Sequence, residues 1–392
     1  MQKNKVIIIG AVLVALLTAV GVQQVHFPGA FVKYNTTEIG PHSETSTEPL
    51  YSSGRFREAM AKYAALKQGM KIETTIPGMQ GAWSLNAKTN ELMLGNSFDP
   101  QGLAISDRNI YISAYDHSRQ MKSIIYVIDR ESGKYLKTVV LAGQDHAGGI
   151  SYDADHDMLW VAGNKNGVAT LYAIAEKVID NYDIKQEKPV AYQASFNLLT
   201  TYKASTVTYY NNKLLVGYFD TSDFSNIQQF DITQKTDGTM MIGNRFPGMK
   251  TDYVVGNKIV QGVVKLQGLA TNGQHLLVTS SFGNHDSKLV RYDVDADENL
   301  TGAQAVVLPP YLESVVYDGT TNRYFLLFES STPAYRVKTK AVVDRVISMS
   351  ANQFNHVAST YKSMQRATTF TIPQLSTAEA DEISDLYTQL FN

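Results

Sequence analysis

The chain contains no cysteine. Disulfides, thiol nucleophiles, thiolate zinc sites and iron–sulfur clusters are therefore excluded. No charge of one sign dominates: 35 basic against 37 acidic side chains leave a net charge of −2, which gives no electrostatic footing for nucleic acid. The serine nucleophile elbow, the paired-histidine zinc motif, the phosphate-binding glycine loop and the dinucleotide fingerprint are all missing. Long hydrophobic runs are missing too, with one exception. Residues 6–22, VIIIGAVLVALLTAVGV, carry no charge and follow Lys3 and Lys5. Seventeen residues lie at the short end of a membrane span, and Ala19-Val20-Gly21 offers small residues at the spacing of a signal-peptide cleavage site. Both readings, an uncleaved anchor or a signal cleaved near Gly21, keep the lysines inside and export the rest of the chain. The expected location is the cell membrane, single-pass with an extracellular C-terminal domain, or the medium after cleavage. An exported chain without cysteine suits a bacterium with little disulfide machinery.

What is abundant is strand-forming. There are 23 tyrosines, and hydrophobic residues make up 44% of the chain, enough for a large core. Residues 23–53 are polar and broken by Pro and Gly, and read as a tether. Residues 54–68 read as a short amphipathic helix, with Phe56, Met60, Tyr63 and Leu66 on one stripe, Ser53 as cap and Gly69 as stop. It is expected to pack on the domain that follows, over 54–71. The last segment, 376–392, reads as a second amphipathic helix.

Between these, over 72–375, the pattern is β and repeats. In 99–141, QGLAIS, IYISAYD, SIIYVID and YLKTVVL are four short strands joined by SDRN, HSRQMK and RESGK. The unit returns near 146 (HAGGISYD), 203 (KASTVTYY), 266 (LQGLATN) and 311 (YLESVVYD). Four-stranded antiparallel meanders at this spacing predict an all-β fold, a β-propeller of five blades. A sixth blade is the alternative, because MQGAWSLNAKTNELMLGNS (79–97) supplies another strand pair. That pair would form the sixth blade or complete the last one beside VVDRVISMS or ATTFTIP. An immunoglobulin-like array is weakened by the lack of linkers. Each QGLA-type phrase is expected to be the innermost strand of a blade, where Gly102, Gly149 and Gly268 let strands converge.

Because strands alternate in direction, strand starts and the second-to-third loops share one face of the ring. On that face fall Asp99, Gln101, Asp116, His117, His146, Gln267, His285, Asp286 and Glu313, the candidate ligand-binding residues, with Asp145, Asp220, Asp223 and Glu329 nearby. Gln101 and Gln267 stand out, since a polar side chain beside the axis needs a partner. Glu313 with Asp99 is the carboxyl pair open to glycoside chemistry. No cofactor is expected; a divalent metal such as calcium is the one exception the loops allow, on His117 and His146 with Asp116 or Asp145. The ladders Asp153-Asp155-Asp157 and Asp293-Asp295-Asp297 start like calcium loops but lack Gly at the sixth position and Glu at the twelfth, so they read as solvated turns.

The phrases QGLAIS, IYISAYD, IIYVIDRESGKYLKTVVL and GISYD resemble blades of the NHL and YncE-like propellers over about residues 77–345. FDPQGL more loosely resembles the Phe-Thr-Gln-Gly-Leu phrase of the propeller glutaminyl cyclases, with an Asp-Pro insertion that carries over no catalytic residue. The resemblance implies the fold; fold alone does not assign activity. The expected role is ligand binding at the channel face of a membrane-tethered, monomeric propeller, the partner being a peptide, a glycan or an envelope protein. The competing reading is a propeller hydrolase, lyase or aminoacyltransferase, which would bring titratable groups together within hydrogen-bond reach.

Overall fold

A computed structural model describes residues 45–199, 203–221, 225–236, 239–245, 253–261, 264–296, 298–362 and 369–371. The apolar segment 6–22, most of the tether, Asp223 and the expected C-terminal helix lie outside the described residues. Among those described, no helix is long and apolar enough to cross a membrane.

The repeats close into a five-bladed β-propeller. Blade I is Phe98–Ile105, Asn109–Asp116, Ile124–Asp129 and Tyr135–Val140. Blade II is Ile150–Asp153, Met158–Lys165, Val168–Ala175 and Ala194–Leu198, extended by Tyr253–Val255 in parallel. Blade III is Thr206–Tyr210, Lys213–Gly217, Asn226–Gln234 and Lys258–Gln261, with Thr369–Thr371 at its edge. Blade IV is Leu266–Thr271, His275–Ser280, Ser287–Val294 and Leu300–Leu308, edged by Ser359–Thr360. Blade V takes Leu312–Asp318, Arg323–Phe328 and Arg345–Ser350 from one end of the chain and Lys71–Thr75 from the other. The first strands touch in the order I, II, III, IV, V and back to I, so the ring is closed.

Two expectations about strand use are corrected here. The pair at 79–97 makes neither a sixth blade nor the end of the last one. It is a separate hairpin, Ala82–Leu85 with Leu92–Gly95, bridged to blade I at Asn86 and Met121. The strand that completes blade V lies ten residues earlier, in KIETT, and the ATTFTIP strand joins blade III. The expected single helix over 54–68 is also two pieces. Helix α1, Ser53–Met60, is capped by the Ser52 hydroxyl; the chain breaks and resumes as α2, Ala64–Lys67, before Gly69 at φ +69°.

Five hydrophobic clusters fill the five gaps between blades. That explains the near-continuous burial of inner strands such as Asn109–Asp116: each face of the blade is covered by a neighbour. The cluster between blades IV and V also takes Phe56, Met60 and Leu66 of the two helices. The glycines of the recurring phrase sit where first strands meet. A Cβ on Gly102 would stand 2.9 Å from Ile150 N of blade II, and one on Gly268 would stand 2.8 Å from Glu313 O of blade V. One on Gly149 would overlap the backbone of Thr206 and Val207 in blade III. Between blades V and I, Leu103 N donates to Ser314 Oγ at 3.2 Å.

Candidate functional site

The first strands carry a shared irregularity. Pairing with the second strand slips at Gln101 in blade I, at Gln267 in blade IV and at Glu313 in blade V, each time just before the small residue of the phrase. Such a bulge leaves one residue unpaired and re-aims its side chain. Two of the three meet a common partner. Gln101 Nε2 donates to Glu329 Oε2 at 2.8 Å, and Glu313 and Glu329 hydrogen-bond to each other. Glu329 follows the second strand of blade V and is held by its own N–H on Tyr311 O at 3.0 Å. Asp99, one residue into the first strand of blade I, is fully buried and binds His117 Nδ1 through Oδ2 at 2.6 Å. Its Oδ1 is buried without a hydrogen-bond partner.

His117 is delivered by a stiff loop. The Asp116 carboxylate accepts from the backbone N–H groups of Ser118, Gln120 and Met121 at 3.1, 2.8 and 2.9 Å, and from the hydroxyls of Ser97 and Ser118. Asp116 is thus consumed in folding its own loop and is not free for a ligand, which corrects that assignment. A rim of rings surrounds the carboxyls. Tyr115 stacks on His146 at 4.3 Å between centroids; Tyr335, on the short helix Pro333–Arg336, lies edge-on to His117 at 6.0 Å and tilted on Tyr311 at 4.9 Å. Tyr311 holds φ +65°, an uncommon backbone state for a bulky residue.

Burial sets the electrostatics. Desolvation first, and the Asp99 charge after it, push Glu313 up to about 8, against an opposing hydrogen bond from Glu329. Desolvation, then the charges of Glu313 and Asp99, raise Glu329 well above the carboxylate range. The pair therefore retains a proton at neutral pH. The hydrogen bond to Asp99 raises His117. His146 is exposed; desolvation in its stack, then Arg119 and Lys203, lower its pKa. Desolvation and the nearby carboxyls raise Tyr115 and Tyr335, so both hydroxyls stay protonated.

Of the nine expected residues, Asp99, Gln101, His117 and Glu313 come together, with His146 one ring away. Gln267 is half-buried on blade IV and takes no hydrogen bond in this cluster. His285 and Asp286 are exposed between blades IV and V, where Asp286 pairs with Lys340 at 2.8 Å and accepts from Tyr63. They are remote from the carboxyl cluster because their loop runs outward to α2. Glu329, expected on that face but not among the nine, joins the cluster, and the rings of Tyr115 and Tyr335 were not singled out. A signal existed for Glu329, which ends its second strand as Asp116 does in blade I. Tyr335 had none, being placed by the short helix Pro333–Arg336 between the strands of blade V.

Among the described residues, no group of acidic and histidine side chains is arranged to hold a metal ion. Of the Asp ladder at 153, Asp155 and Asp157 are exposed as a solvated turn would have them, whereas Asp153 is buried and accepts from His156 and from the Trp160 indole at 3.1 Å. Asp295 is used by its own turn, and Asp297 lies outside the described residues. Besides Asp99, His117 Nδ1 lies 3.5 Å from the Tyr115 hydroxyl, so the cluster can move protons.

No family model matches the chain, and no curated protein does. Solved structures similar to it include the Dos1 propeller, at 13% identity over 68% of this chain and 73% of that one, TM-score 0.31. The WD40 repeats of RRP9 match at 10% identity over 68% and 99%, TM-score 0.34. A GH43 glycoside hydrolase matches at 11% over 60% and 48%, TM-score 0.36. At these identities and scores they carry no argument about chemistry; the propeller itself rests on the strand pairing above.

Proposed function

We propose that the chain is an exported, membrane-tethered propeller that binds a ligand of the cell envelope, a peptide, a glycan or an envelope protein, at the mouth formed by Asp99, Gln101, His117, Glu313 and Glu329. The observation that supports this reading is the burial of three carboxyl groups at one point of the ring. Gathering them costs several kcal/mol. Ring closure does not require it, because blade IV closes through the same bulge with the neutral Gln267. Groups held against their own stability in this way mark functional sites. The tether reading rests on Lys3, Lys5 and the apolar run 6–22.

The test is a thermal-shift screen of the full chain against envelope fragments. A ligand at a hundredfold excess over its dissociation constant adds about 2.7 kcal/mol. The shift should vanish in Glu313→Gln and Glu329→Gln; a shift that persists in both places the ligand elsewhere. Deleting residues 6–22 should move the protein from the membrane fraction to the soluble one.

The buried carboxylate behind His117 favours a second reading, a propeller enzyme of the hydrolase, lyase or cyclase-like aminoacyltransferase kind. A histidine oriented by a carboxylate at 2.6 Å is a competent general base toward a bound molecule or water. Turnover of peptide or glycan fragments that is lost in His117→Ala, while binding is kept, would select it.

A further inference from the structure

We infer that the ligand presents a protonated amine to the mouth, its nitrogen held by the carboxyls of Asp99, Glu313 and Glu329 beside the rings of Tyr311 and Tyr335. The inference rests on the mouth being the binding site and adds the chemistry of what binds there.

The first ground is an excess of carboxyl groups over basic partners. Three carboxyls meet, and the only cationic partner among the described residues is His117, on Asp99. The nearest guanidinium is engaged elsewhere: Arg119 lies 4.5 Å over the Tyr115 ring and bonds the Gln144 carbonyl. The second ground is independent of the first. Asp99 Oδ1 is buried with no hydrogen-bond partner. An unsatisfied buried carboxylate oxygen lacks a donor, and an ammonium carries three.

The rings fit the same occupant. Tyrosine faces attract cations, and the phenols of Tyr311 and Tyr335 remain neutral; the Tyr115 ring is already covered by His146 and Arg119. A metal ion fits less well. Among the described residues, no group of acidic and histidine side chains is arranged to hold one.

The inference has a protonic consequence. An ammonium favours ionised glutamates, so seating it displaces a proton from the Glu313–Glu329 pair. Affinity should rise with pH, first as His117 loses its charge and then as the glutamates ionise, until the ligand amine itself deprotonates. Asp99, His117, Tyr115, Tyr311, Tyr335 and the more distant Arg119 are the other groups that face the pair.

Titration calorimetry on the full chain in detergent provides the test. Alanine amide and glucosamine are compared with their N-acetylated forms, which keep size and lose charge; the tighter amine distinguishes a peptide terminus from an amino sugar. The expected result is binding of at least one amine, with at least tenfold weaker binding of its acetylated form. Uptake of up to one proton by the buffer should accompany it near pH 7. Glu313→Gln and Glu329→Gln should each weaken the amine at least tenfold with native melting transitions, and Asp180→Asn on the opposite face should not. Absence of amine binding, or equal binding of amine and acetyl forms, overturns the inference. If a neutral ligand binds and is lost in the two glutamine variants, the mouth survives as the binding site and only the amine is wrong. Binding indifferent to both variants overturns the two readings together.

Discussion

Replacing Glu313 and Glu329 together by glutamine should stabilise the protein at neutral pH and leave it nearly unchanged in mild acid. Both carboxyls are buried and titrate above the ordinary range. Between the unfolded value of about 4.3 and the folded value, the native state holds a proton that the unfolded chain releases. Stability is therefore full below about pH 4.3 and declines as pH rises toward the folded value, about 8 for Glu313. From about 4.3 to pH 7, at about 1.4 kcal/mol per pH unit, this is a few kcal/mol for each proton retained. Glutamine keeps the volume. At position 329 its carbonyl still accepts from Gln101, and its amide replaces the carboxyl proton as a donor. Guanidinium unfolding followed by the fluorescence of Trp83 and the buried Trp160 reads the difference at several pH values. The gap between variant and parent should widen by about 1.4 kcal/mol per pH unit for each proton the pair retains, above about 4.5, and level off near the folded value. A gap that stays constant with pH, or a variant less stable than the parent at neutral pH, would refute the shared proton.

Gly149→Ala should destabilise by about 1–3 kcal/mol, since its Cβ overlaps the backbone of blade III, whereas Gly54→Ala, in α1 with open space around it, should be neutral or mildly stabilising; paired denaturant curves check both. Asp344→Ala should cost about 3–5 kcal/mol, because Asp344 pairs with buried Arg345 and accepts from Leu50 N at 2.7 Å and Tyr51 N at 3.2 Å. Release of the segment at Leu50 and Tyr51 should appear as early proteolysis near residue 50. His117 should titrate above the ordinary imidazole value of about 6.5 and return toward it in Asp99→Asn, as followed by NMR of the ring. The pair's contribution to stability should be full below about pH 6.5 and fade as pH rises through the folded value.

The repeat was legible because each blade satisfies local rules, alternation in its strands and turn residues between them. The glycines were legible for the same reason: a residue without a side chain before an apolar strand has few uses besides close approach. Gln101 and Gln267 were singled out because a polar residue at an innermost strand is out of place unless it is used; the rule reached the cluster with Gln101 and not with Gln267, since it cannot say which blade's bulge meets a partner. The separation of Asp116 from His117 was not legible. Adjacent in AYDHS, one folds the loop and the other faces the cluster, and only the hydrogen bonds decide which. AYDHS and FGNHDS look alike, yet the second projects toward α2 and pairs with Lys340.

The amino-acid sequence by itself determined the blade, its number of strands and the face on which polar residues collect, since these follow from periodicity along the chain. Tertiary structure alone decided which strand closes the ring and which carboxyls meet. Lys71–Thr75 pairs with Arg345–Ser350, and Gln101 reaches Glu329, across more than two hundred residues. Contacts of that span depend on where closure brings two ends of the chain, and no local pattern encodes that distance.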